Sequence, residues 1–168
     1  MSKQQSLIID KKNVQQKITR IAYQILEDNY KENEIVLIGI RNKGYLVAEK
    51  LKKTLEKIRT TKVQLFEIKL DKKQPNKNEI EFDFDPTEIK NKSIVLVDDV
   101  ANTGKTIFYA LSTLMDHNFK KIQIAVLIDR EHKSFPIRAD YVGMSLSTTL
   151  KEHVEVMIDK DETAVYLS

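Results

Sequence analysis

Ile94-Val95-Leu96-Val97-Asp98-Asp99-Val100-Ala101-Asn102-Thr103-Gly104-Lys105-Thr106 is the stretch whose reading decides the fold. The apolar run from Ile94 to Val97 is too short for a buried helix and rich in β-branched residues, so it reads as a central strand covered on both faces. Two carboxylates, Asp98 and Asp99, end it. A small, hydroxyl-rich turn then opens an amphipathic helix expected from about Thr103 to His117. Ligands of open α/β sheets bind outside the carboxyl ends of strands. A helix N-terminus there offers unpaired backbone N–H groups and a positive dipole end, both suited to phosphate. Thr103, Gly104, Lys105 and Thr106 add hydroxyls, a close backbone approach and a cation. The acidic pair would repel a phosphate unless it holds something else, and a sugar diol or a hydrated Mg²⁺ meets that need. Phosphate and diol on one ligand make a ribose 5-phosphate.

Other readings of the stretch fit less well. Gly-Lys-Thr also ends a P-loop, but that motif needs glycine where Asp99 stands. Receiver domains carry an acidic pair after their first strand, whereas this pair lies past the middle of the chain. A purely structural turn and helix cap is the remaining alternative.

Outward from this stretch, Ile35 to Ile40 is a second β-rich run, followed by Arg41-Asn42-Lys43-Gly44 and a helical segment from Tyr45 to about Lys57. Strand, basic loop and helix make a second anion-binding corner. Taken alone it is an ordinary structural loop. Together the two corners suit a donor with two separated phosphate groups. Upstream, Leu7 to Ile9 reads as a short strand, and Asp10 caps a helix to about Asn29. Val14, Ile18, Ile21, Ala22, Ile25 and Leu26 form its core-facing stripe. Downstream, Lys62 to Leu70 and Ile122 to Ile128 read as strands, as do Val154 to Ile158 and Ala164 to Leu167. The sequence thus predicts an α/β fold, an open, mostly parallel twisted sheet flanked by helices, with an antiparallel edge and a small β-arm or hood. The expected arm spans residues 70–87, turns at Pro75-Asn76-Lys77-Asn78, presents Ile80, Phe82 and Phe84 on one face, and is mobile.

A chain of 168 residues is one domain, 1–168, with 41% apolar and 32% charged residues, an ordinary globular composition. A net charge of +3 neither establishes nor excludes a nucleic-acid partner. Absence of cysteine removes disulfide and thiolate chemistry. No apolar run approaches the ~20 residues that cross a bilayer, and Met-Ser-Lys-Gln-Gln has no apolar signal core, so the expectation is a cytoplasmic protein with no membrane partner.

The stretch from Ile94 to Thr106 resembles the phosphoribosyl-pyrophosphate signature of type I phosphoribosyltransferases. The resemblance implies that Asp98 and Asp99 hold the ribose 2- and 3-hydroxyls, and a magnesium ion indirectly, while Ala101, Asn102, Thr103, Gly104, Lys105 and Thr106 wrap the 5-phosphate. It also implies that Arg41, Asn42, Lys43 and Gly44 take the pyrophosphate. Further matches cover most of the chain: Thr19-Arg20-Ile21-Ala22, Gly39-Ile40-Arg41, Asp129-Arg130 with His132, and Pro136-Ile137-Arg138-Ala139-Asp140-Tyr141-Val142-Gly143. Together these are similar to the pyrimidine operon attenuator/uracil phosphoribosyltransferase subfamily. That subfamily implies phosphoribosyl transfer to uracil, giving UMP and pyrophosphate with Mg²⁺, and a homodimer. Arg130 would face the base, and backbone at Met157 and Ile158 would pair with its edge. The arm departs from the subfamily's catalytic-loop pattern, leaving Lys72, Lys73 or Lys77 as substitutes. The subfamily's RNA-binding face is matched at Thr19, Arg20, His132, Lys133 and Arg138. Tyr23, Asp28 and Met144 stand where basic residues are expected on that face. The alternative to a nucleobase phosphoribosyltransferase is therefore a nucleotide-sensing RNA-binding regulator.

Overall fold

The computed structural model describes residues 5–76, 79–149, 151–159 and 161–168. Its elements in chain order begin with β1 (Ser6–Ile9), α1 (Lys11–Asp28), β2 (Glu34–Ile40), α2 (Lys43–Ile58), β3 (Lys62–Lys69) and β4 (Glu81–Phe82). A short 3₁₀ turn at Pro86–Ile89 leads into β5 (Ser93–Ala101), α3 (Lys105–Leu114), β6 (Lys121–Arg130), β7 (Tyr141–Leu146), β8 (Val154–Ile158) and β9 (Thr163–Leu167). One sheet has the order β4-β3-β2-β5-β6-β7, parallel from β3 to β7 and antiparallel only where β4 joins β3. β5, which carries Ile94 to Val97, is a central strand, as its sequence predicts.

Alternation along the central strands divides the core. Ile35 and Leu37 of β2, with Val95 and Val97 of β5, pack against the stripe of α1 and against Val47, Ala48, Leu51 and Leu55 of α2. Their neighbours Val36, Ile38, Ile94 and Leu96 face the opposite side, against Ile107, Ala110 and Leu114 of α3. Side chains of a strand point alternately to the two faces, so the apolar runs Ile35 to Ile38 and Ile94 to Val97 are buried throughout. The six stripe residues predicted for α1 are its buried residues, and Asp10 accepts a hydrogen bond from Asn13 N at 2.8 Å as the N-cap.

Three features differ from the sequence reading. Residues 141–146, read only as part of a motif, form β7, the parallel edge strand. The last two strands do not extend the main sheet but form a separate antiparallel hood, β1-β9-β8, with Ser6 opposite Leu167. Finally, the arm is pinned at its return side: β4 is two residues long, and Phe84 is buried with its ring 4.9 Å from that of Phe66. Three apolar side chains in alternation were enough to dock that half onto the sheet. Pro75 and Asn76 lie in the predicted turn; Lys77 and Asn78 fall outside the described residues. No helix among the described residues is long and apolar enough to cross a membrane.

Candidate active site

A cleft of about 480 Å³ opens at the carboxyl ends of β2 and β5. Arg41, Asn42 and Lys43 line it from the β2–α2 corner, and residues 98–107 from the end of β5 through the start of α3. Lys72 reaches in from the segment after β3, and residues 153–156 close it from the hood. The two corners that sequence spacing singled out thus share one cavity, with the acidic pair between them.

Each corner has its own backbone device. Asn42 adopts a left-handed φ of 67° immediately before α2, which turns the chain so that the helix start faces the cleft. Such a conformation in a non-glycine residue costs on the order of 1–3 kcal/mol and is retained where the surroundings impose it. Gly44 sits against β5: a Cβ there would lie 2.9 Å from both Asp98 Oδ1 and Val97 O. Only a glycine lets the α2 terminus approach the acidic pair so closely. At the other corner Gly104, with φ of 84°, turns the chain into α3, and Thr103 Oγ1 accepts from Lys105 N at 3.3 Å. Both helix starts leave donors directed at the cleft.

Between the corners, Asp98 is 2% exposed and accepts a hydrogen bond from Asp99 N at 2.9 Å. Lys72 Nζ lies 3.2 Å from Asp98 Oδ1 and 3.4 Å from Asp99 Oδ1. Burial, and then the neighbouring charge of Asp99, push the Asp98 carboxyl well above the usual carboxylate range, with Lys72 opposing the rise. For Lys72, burial disfavours the ammonium, but the two carboxylates and their hydrogen bonds outweigh it and its pKa rises. One cation therefore serves two acids.

This arrangement makes stability depend on pH in a definite direction. Below the ordinary Asp range, about pH 3.9, Asp98 is protonated both folded and unfolded. As pH rises, the unfolded chain releases its proton first, so stability falls until the native carboxyl has also ionised and is level above that point. Asp98→Asn is expected to remove this decline and to exceed the wild type in melting temperature above about pH 4. Thermal melts of both proteins across that range check it.

The remaining sequence-predicted residues are placed less uniformly. Met157 and Ile158 lie beyond the cleft lining, which takes His153 to Val156 instead; Ile158 is buried in the core. The sequence marks Val154 to Ile158 as a strand but not which end of it borders the cavity. Arg130 lies outside the lining too, with its guanidinium bonded to Asn102, Thr148, Thr149 and Glu152. Of the residues matched to an RNA face, Thr19 donates to Gln15 O, and Arg20 to Val142 O and Gly143 O. His132 Nε2 contacts Thr148 O at 2.5 Å, and Lys133 donates to Asp129, to Arg130 O and, at 3.3 Å, to Ala101 O. Arg138 is exposed. Lys72, weighed in the sequence only as one of three arm lysines, and His153 to Val156 are the additions. Only the fold brings these segments to the acidic pair.

Comparison with known proteins identifies the family and the fold. The phosphoribosyl transferase domain model matches residues 4–161. The bifunctional protein PyrR of Macrococcus caseolyticus is 35% identical over 170 residues, covering 96% of this chain and 97% of that protein. Its counterpart in Caldicellulosiruptor bescii is 40% identical over 163 residues, covering 91% and 88%. Among solved structures, a hypoxanthine-guanine phosphoribosyltransferase of Bacillus anthracis superposes with a TM-score of 0.74 at 21% identity, over 89% of this chain and 86% of that one. A hypoxanthine phosphoribosyltransferase of Trypanosoma cruzi gives 0.75 at 18% identity, over 84% and 72%. At these identities the structural likeness establishes the fold, and the sequence matches establish membership. The chain belongs to the phosphoribosyl transferase domain family, as a phosphoribosyltransferase related to the bifunctional PyrR proteins.

Proposed function

We propose that the cleft transfers the phosphoribosyl group of phosphoribosyl pyrophosphate to uracil, producing UMP and pyrophosphate. The observation that carries this reading is the buried acidic pair lying between two helix-start corners in one cavity. In the proposed complex, residues 101–106 hold the 5-phosphate and Asp98 and Asp99 fix the ribose diol. Arg41, Asn42, Lys43 and Gly44 receive the pyrophosphate, and the hood residues 153–156 border the base. The C1–O bond to pyrophosphate breaks with its electron pair leaving on oxygen. The C1–N bond to the base forms, and the base releases its N–H proton to solvent. Fixing the donor and stabilising the leaving group account for most of the rate, so no strong general base is needed.

Magnesium fits the donor set. Among the described residues no group of three or more acidic or histidine side chains is placed to hold a metal ion by itself, and the adjacent carboxylates Asp98 and Asp99 suit a hard cation that keeps waters and ligand oxygens in its shell. When bound, the ion supplies charge neutralisation for the departing pyrophosphate. We further propose a cytoplasmic homodimer.

The test offers phosphoribosyl pyrophosphate and Mg²⁺ with uracil, hypoxanthine, guanine, adenine or orotate separately, against a no-base control. Pyrophosphate release with uracil alone is expected. Release with another base would keep the transfer and overturn the substrate; silence with every base would overturn the proposed reaction. The word bifunctional in the relatives' names favours a second reading, RNA binding. Against it stand the internal hydrogen bonds of Thr19, Arg20, His132 and Lys133. RNA affinity that is UMP-dependent and falls steeply with salt would establish that second activity.

A further inference from the structure

Arg130 ends β6 beside the cleft without lining it, and all three of its guanidinium nitrogens are engaged elsewhere. Nη1 donates to Asn102 Oδ1 at 3.2 Å, in the turn that opens α3. Nε and Nη2 donate to Thr148 Oγ1 at 2.9 and 2.6 Å. Nη2 also reaches Thr149 O at 3.2 Å and Glu152 O at 2.9 Å. Thr148, Thr149 and Glu152 belong to the connection from β7 to the hood strand β8, whose first residues border the cavity. The fork therefore ties the phosphate corner on one side to the hood wall on the other.

Neighbouring contacts stiffen both ends. The Glu152 carboxylate accepts from Thr149 N at 2.7 Å, curling the hood connection around the guanidinium. Phosphate-corner carbonyls are held from the β6–β7 connection as well: Thr103 O accepts from Ser134 N at 2.9 Å and Phe135 N at 3.1 Å. A planar guanidinium with five N–H donors can span acceptors on two segments at once; an ammonium of similar length cannot reproduce that fork. These contacts turn the guanidinium toward the two walls, and Arg130 itself stays out of the cavity lining.

We propose that Arg130 is a positioning residue that fixes the separation of the phosphate corner from the hood wall, and not a contact to the nucleobase. The proposal rests on the phosphoribosyl-transfer reading of the cleft. Its consequence is kinetic coupling: loosening the Thr148 end of the fork disturbs the Asn102 end, although Thr148 touches neither the cavity nor Asn102.

The experiment compares Arg130→Lys, Thr148→Val, Thr148→Ser and the double variant Arg130→Lys/Thr148→Val. Two readouts are used, steady-state kinetics for each substrate and amide hydrogen exchange of residues 101–106. Misplacement of bound groups by about an ångström lowers rates on the order of a hundredfold. Arg130→Lys and Thr148→Val are each expected to lower kcat by about ten- to a hundredfold, changing KM for the base by less than about threefold. The double variant should fall no further than the worse single one, because both remove the same link. Exchange at residues 101–106 should quicken in both, and Thr148→Ser, which keeps the hydroxyl, should restore rate and protection. A rise in base KM alone for Arg130→Lys, with Thr148→Val unchanged, would overturn the proposal in favour of direct base contact. Should the wild type release no pyrophosphate with any base, the transfer reading fails, and exchange decides separately: unaltered protection at residues 101–106 in Thr148→Val sinks the link, and quickened exchange upholds it.

Discussion

Replacing Asp98 and Asp99 together by Asn is expected to abolish detectable transfer while leaving the chain folded. In the proposed complex both carboxylates accept from ribose hydroxyls, and hydrogen bonds to charged groups contribute roughly 1.5–3 kcal/mol each. Loss of two such bonds amounts to roughly 3–6 kcal/mol, or about two to four powers of ten in kcat/KM. Loss of the negative charge also weakens any hold on the donor's magnesium. The fold should survive because Asn has the same shape and the change removes buried charge. Lys72, which loses both partners, is partly exposed and remains solvated. Circular dichroism and a thermal melt establish folding, and pyrophosphate release measures the loss. Transfer persisting at more than about a tenth of the wild-type rate would mean that the ribose sits elsewhere.

The second large effect is expected from a single methyl group. Gly44→Ala would place a Cβ 2.9 Å from Asp98 Oδ1 and Val97 O and 3.1 Å from Asp98 Cα. Alanine gains up to ~1 kcal/mol of helix propensity over glycine, but two of those three neighbours are backbone atoms of the central strand and cannot rotate away. Overpacking of this kind costs about 1–3 kcal/mol, so the net effect is a modest loss of stability. Activity should suffer far more. The clash can relax only by withdrawing the start of α2 from β5, which separates the pyrophosphate corner from the acidic pair. A displacement of about an ångström lowers rate on the order of a hundredfold. A melting temperature within a few degrees of wild type, together with that fall in kcat/KM, checks both halves; near-normal kinetics would show that α2 can move without consequence.

Much of this arrangement was legible in the sequence, for reasons that differ by element. The β2 and β5 strands announce themselves because both faces are covered and their apolar runs, Ile35 to Ile38 and Ile94 to Val97, are unbroken. The stripe of α1 follows helical period closely enough to name each buried residue. The two corners could be recognised because glycine, hydroxyl and basic residues must follow directly on the strand that presents them. β7 gave a weaker signal: an edge strand with Gly143 inside it has a broken pattern. The structure explains that glycine, since a Cβ there would lie 2.3 Å from Leu127 O.

What stayed hidden depends on contacts between distant segments. The pairing of β1 with β9 joins residues 6–9 to 165–167, and no local pattern encodes it. The cleft-lining end of β8 depends on how the hood is placed, so the resemblance points to Met157 and Ile158 where His153 to Val156 border the cavity. The resemblance points Arg130 at the base, but the partners of its guanidinium lie 18 to 28 residues away in the chain. Lys72 shows the same limit. Its place among three arm lysines says nothing about which one reaches the acids.

The ammonium resting on Asp98 and Asp99 changes what ligand capture means kinetically. A ligand that takes the acidic pair must evict a resident ion, so arrival and departure form one exchange. Observed association rates should then rise with ligand concentration only until withdrawal of Lys72 becomes the slow step, and level off there. In such a scheme the tempo of the cleft is set by the segment following β3, and the pair of acids is never left facing water without a counter-charge.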